Sequence, residues 1–140
     1  MSAVLRASGT EFDVDAFLVG SNLKPCAVYH RGEIRFPHPR PALEPRERSG
    51  LHVVASVTEF VHFPQQVAEA TSFLQAHAEE ILRLVSFPGV EGVELDFGIE
   101  RRDVAVQNDR LPADLIRLAG SLGLSINMSQ YWLASTNDTP

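Results

Sequence analysis

Hydrophobic and polar positions alternate most cleanly in three stretches. Leu51, Val53, Ala55 and Val57 share one face of an extended segment, with His52, Val54, Ser56 and Thr58 on the other. Val93, Leu95, Phe97 and Ile99 alternate with Glu94, Asp96, Gly98 and Glu100, the pattern of a half-buried strand with an acidic outer face. Leu124, Ile126 and Met128 alternate with Ser125, Asn127, Ser129 and Tyr131, predicting a last strand that runs on to Trp132. Val4 to Ser8 reads as a first strand and Cys26 to Arg35 as a less regular second one. Val104 to Gln107 reads as a short strand after a tight turn over 100–103.

A helical period takes over elsewhere. Val67, Ala70, Leu74, Ala78, Ile81 and Val85 predict one long helix, opened by Pro64 and ended by Phe87-Pro88-Gly89. Leu111, Leu115, Leu118, Ala119 and Leu122 form a second stripe between Pro112 and Gly123. A short helix follows Asp13, whose carboxylate can cap free N–H groups. Phe12 and Phe17 are spaced as a hydrophobic staple, and Gly20 suits a left-handed stop.

The predicted order is β-α-β three times over. Each helix has one apolar stripe and the clearest strands have one apolar face. Helices on a single side of the sheet satisfy both. The expectation is an α+β fold: a mixed open sheet with three helices on one face, ferredoxin-like βαβ units with an added βαβ. The reverse face should be polar, carrying His52, Ser56, Glu94, Asp96, Asn127 and Tyr131, and either wet or covered by a partner. A chain of 140 residues predicts one domain over 1–133, with a disordered polar tail over 134–140.

Pro37, Pro39, Pro41 and Pro45 forbid regular structure in a loop over 37–50, and loops of that length are usually functional or disordered. Charge sharpens the point. The stretch from Lys24 to Arg48 holds six basic residues against three acidic ones, while the whole chain carries −6. Such asymmetry can mark a site for an anionic ligand or an acidic partner, the alternative being a solvated linker whose arginines keep it soluble. The overall acidity argues against a general nucleic-acid binder, which must neutralise phosphates. Lys24 is the only lysine among the basic residues, the usage expected of a GC-rich bacterial genome. One cysteine, Cys26, makes no internal disulfide, the N-terminus lacks a signal-peptide layout, and no apolar run is long enough to span a bilayer. The cytoplasm is the expected compartment, with no membrane role.

Catalytic signatures are missing: no phosphate loop, dinucleotide fingerprint, nucleophile elbow or His-Glu-x-x-His. The five histidines are scattered. His30 and His52 would face each other if the second and third strands pair, with Glu94 or Asp96 as a third ligand; scattered surface histidines explain the pattern better, and no metal or cofactor is assigned. Cys26 and His30 stand about 13 Å apart along a strand, so Cys26 is expected to be a small buried residue. Tyr131 and Trp132 are good binding material, although closing the core edge is the stronger expectation for Trp132.

Three stretches carry a resemblance: Ser8-Gly9-Thr10-Glu11-Phe12-Asp13-Val14-Asp15, Phe87 through Gly98, and Leu111-Pro112-Ala113-Asp114-Leu115 on to Ser129-Gln130-Tyr131. They resemble small uncharacterised bacterial proteins of the domain-of-unknown-function kind. The resemblance implies a compact α+β module of immunity or accessory type and brings no catalytic residues.

The functional expectation is a non-enzymatic protein-interaction module. It would meet a protein partner, or a second copy as a homodimer, through the open sheet face and the loop over 37–50. The candidate binding residues are His30, Arg31, Arg35, Arg40, His52, Glu94, Asp96, Asn127, Tyr131 and Trp132. The competing expectation is a small-ligand binder or enzyme with a pocket between that loop and the sheet, where His30, His52 and Asp96 converge.

Overall fold

The first strand, β1 (Ala3–Gly9), takes the middle of a five-stranded sheet because its small and apolar inward residues, Ala3, Leu5 and Ala7, suit the most enclosed position. The computed structural model describes residues 2–34 and 44–132. The other strands are β2 (Ala27–Tyr29), β3 (Ser49–Ser56), β4 (Gly92–Glu100) and β5 (Ser125–Tyr131), in the spatial order β2-β3-β1-β4-β5. β1 is antiparallel to both β3 and β4, and β5 runs parallel to β4. The sheet is therefore mixed and open, in an α+β fold.

Four helices accompany it: α1 (Val14–Leu18), α2 (Phe63–Ala76), α3 (Ala78–Val85) and α4 (Ala113–Ser121). Val14 and Phe17, Val67 and Leu74, Ile81 and Leu84, and Leu115 and Ala119 join the inward residues of the strands in one core. β3 and β4 point the same way on either side of β1. The α2–α3 connection thus steps over β1, the split βαβ of ferredoxin-like folds, and α4 links the adjacent parallel pair β4 and β5.

The local signals work as their chemistry requires. Asp13 accepts a hydrogen bond from the Ala16 N–H, and the rings of Phe12 and Phe17 meet edge to face at 6.3 Å. Gly20 and Gly123 take positive φ after their helices.

Several expectations are corrected. The long helix is two, because His77 leaves helical geometry while the hydrogen-bond ladder continues through it, from the His77 N–H to Phe73 and from the Ile81 N–H to His77. The change of direction makes Ile81 and Leu84, rather than Val85, complete the buried stripe. Residues 104–107 form no strand; Gln107 folds back to accept from the Arg102 N–H and to donate to the Glu100 carbonyl, leaving Val104 and Val106 exposed. The second strand is three residues long, since the chain turns at His30–Glu33 and there Gly32, Glu33 and Ile34 pair back with Arg46 and Pro45. Ser49 and Gly50, expected in the loop, already belong to β3.

β3 also corrects its own alternation. The register slips opposite Ala3 and Val4, where Ala3 faces Ser56 and Val4 faces Val54. One extra residue reverses the sides that follow. Ser56 turns to the helical side and bonds Glu69 of α2, while Val57 emerges 73% exposed. Arg35, Arg40 and the tail over 134–140 lie outside the described residues.

Candidate functional site

The reverse face of the sheet holds a polar hollow, and the strand register explains it. His52, Arg6, Glu94 and Ser125 stand side by side across β3, β1, β4 and β5. The next row is Gly50, Ser8 and Gly92. Tyr29 covers Gly50, while Ser8 and Gly92 stay short and leave a depression of about 510 Å³ between taller neighbours. Tyr29 rises at one side, with its hydroxyl lying over Gly50. A Cβ at Gly50 would collide with that hydroxyl and with the Ala7 carbonyl, whereas a Cβ at Gly92 would meet nothing.

The walls are held from behind. Asp96 is 5% exposed and lies 3.0 Å from the Arg6 guanidinium. The same carboxylate accepts from the Ser129 hydroxyl at 2.7 Å and the Asn127 amide at 3.3 Å. These bonds fix Arg6 in place, although its Nε is buried without a partner among the described residues. On the rim, Arg48 pairs with Glu91. Glu91 also accepts from the Thr10 hydroxyl at 2.6 Å and the Thr10 N–H at 3.0 Å. The Thr10 bonds, helped by Arg48, hold its pKa at about 2. Arg46 stacks over Tyr29 at 4.4 Å, and His52 meets the same ring edge-on at 5.8 Å. Burial, reinforced by Arg6 and Arg46, lowers the His52 pKa and keeps the imidazole neutral near pH 7.

Of the sequence candidates, His52 and Glu94 line the hollow, and Asp96 and Asn127 support it from one side. Asp96 is not the wet surface carboxylate expected, because Arg6, Ser129 and Asn127 enclose it. The others lie elsewhere. His30 does not face His52; the two strands pair with Ala27 opposite His52. His30 instead bridges Glu33 at 2.6 Å and Asp15 at 3.0 Å, and those hydrogen bonds, Asp15's first, raise its pKa. Arg31 pairs with Glu11 at the edge of a separate depression. Tyr131 stacks on Phe60 at 5.2 Å over Gly98 at the other end of the face. Trp132 is 64% exposed under Arg101 and does not close the core. Cys26 is exposed, contrary to expectation, because β2 is the outermost strand.

Arg6, Ser8, Tyr29 and Glu91 escape the sequence reading, and Arg48 enters it only as one of the basic residues of the stretch from Lys24. The available signal is parity: Arg6 and Ser8 occupy the non-core positions of the first strand, although nothing in sequence sets them beside His52 and Glu94. Among the described residues no three His, Cys, Asp or Glu side chains are placed to hold a metal ion, and no helix is long and apolar enough to cross a membrane. No family model, curated protein or solved structure matches the chain.

Proposed function

We propose that the protein is a non-enzymatic binding module that meets a protein partner, or a second copy of itself, across the reverse face of its sheet. One observation carries this reading: all the helices pack on one side, and the other presents polar side chains braced around an open hollow. Bracing of this kind prepares a surface for recognition, because ordering it is not left to the moment of binding. The hollow has a neutral imidazole, and among the described residues no hydrogen bond joins that ring to a nucleophile. A reducing compartment such as the cytoplasm suits the free thiol of Cys26.

Gly92→Trp tests the reading, because the new ring would project across the face without disturbing the fold. Sedimentation velocity and crosslinking capture from the host cell should show self-association or a partner with the native chain and neither with Gly92→Trp. A strict monomer whose captured set is unchanged by the substitution would refute it. The volume of about 510 Å³ favours a second reading, a small-ligand protein with its pocket in the same hollow, between Arg48 and the sheet.

A further inference from the structure

We infer that the hollow above Ser8 is a carboxylate-recognition site, taking a monoanionic carboxylate from an acidic side chain of a partner or from a free small acid. This rests on the proposed binding role of the face. Two guanidiniums border the hollow, Arg6 from β1 and Arg48 from the residue that leads into β3. Each is oriented by a carboxylate that is itself tied down, Asp96 by Ser129 and Asn127, and Glu91 by Thr10. Each of these contacts engages only part of a guanidinium, which carries five N–H donors. The hydroxyls of Tyr29 and Ser8 add two more donors facing the same space. Against them Glu94 is the one carboxylate on the walls not paired with an arginine among the described residues. Donors therefore outnumber acceptors, the imbalance that an anion corrects.

Charge selects which anion. On the walls Arg6 and Arg48 are already paired with Asp96 and Glu91, and Glu94 stands beside them, so a dianionic phosphate would meet more repulsion than a singly charged group. A singly charged, planar carboxylate fits the fork of one guanidinium and leaves the other to steer it. The uncharged imidazole of His52 beside Arg6 serves as a further hydrogen-bond partner. Gly92 keeps the entrance open on the β4 side.

The test is an NMR titration of the isotopically labelled full chain. Propionate represents a free acid and the blocked tripeptide acetyl-Gly-Glu-Gly-amide an acidic side chain; propionamide, the Gln tripeptide and inorganic phosphate are the comparisons. The Gly50 and Gly92 amides and the Arg48 side chain should shift saturably with a carboxylate, with apparent affinity at least about tenfold above its amide analogue. Arg48→Gln should weaken the response and Gly92→Leu should abolish it. Saturation by the tripeptide alone assigns the site to a partner side chain, and saturation by both assigns it to small acids as well. Equal responses to acid and amide, stronger binding of phosphate, or titration that survives Gly92→Leu would overturn the inference. Partner capture that remains sensitive to Gly92→Trp in that event leaves the face reading standing; loss of both removes both.

Discussion

The guanidinium of Arg6 and the carboxylate of Asp96 lie 3.0 Å apart on neighbouring antiparallel strands, one side chain partly exposed and the other buried. They are diagonal neighbours, since Arg6 is opposite Glu94 and Asp96 is opposite Val4. The pair reaches across the face to join the wall of the hollow to its support. Removing one member has unequal consequences. Arg6→Gln strands a buried charge and should lower stability by about 2 kcal/mol, discounted from a fully buried pair because the arginine is partly solvated. Asp96→Asn keeps hydrogen-bonding capacity toward Ser129 and should cost less. Urea unfolding of the two variants gives the order.

Gly50 and Gly92 face Ser8 from opposite sides and answer differently to the same methyl group. Gly50→Ala drives a Cβ into the Ala7 carbonyl and the Tyr29 hydroxyl and should destabilise by about 1–3 kcal/mol. Gly92→Ala enters open space and should stay within about 0.5 kcal/mol of the native chain. Thermal or urea melts of both alanine variants check the contrast.

Glu91 makes an acid limb. Its folded pKa, about 2, lies below the ordinary 4.5, so its stabilising contribution is complete above pH 4.5 and disappears as pH falls toward 2. Thr10→Val removes the hydroxyl donor that contributes most, and should flatten stability against pH in that window. His52 acts earlier on the same side. Its lowered folded pKa means that stability begins to fall as pH drops below 6.5, where the unfolded imidazole takes up protons first. Urea midpoints measured from pH 7 to pH 3 resolve both.

His30 has the opposite sign. Asp15 and Glu33 favour its protonated form, so its contribution is complete below pH 6.5 and is lost as pH rises through the elevated folded value. The group is solvent-screened and the effect on stability small, so the direct measurement is an NMR titration of the imidazole. Asp15→Asn should bring its pKa back toward 6.5 by removing the largest cause.

Much of the architecture is legible in sequence because it depends on local chemistry. Alternation over 93–99 and 124–129, the Asp13 cap and the Phe12–Phe17 staple all act within a few residues. The misread positions depend on distant partners. The slip opposite Ala3 turns Ser56 toward Glu69 and sends Val57 outward, and no pattern within 51–58 announces it. His52 and Glu94 are visible as polar positions, yet the hollow beside them comes from Ser8 and Gly92 meeting in register.

The central position of β1 has a consequence for how the chain comes off the ribosome. Its two hydrogen-bonding edges are satisfied by segments beginning at Ser49 and Gly92, so β1 is made before both its partners and is enclosed only when the second arrives. Nascent chains halted before Gly92 should expose one flank of β1 and favour aggregation or chaperone capture, whereas release after Glu100 allows the layer to seal.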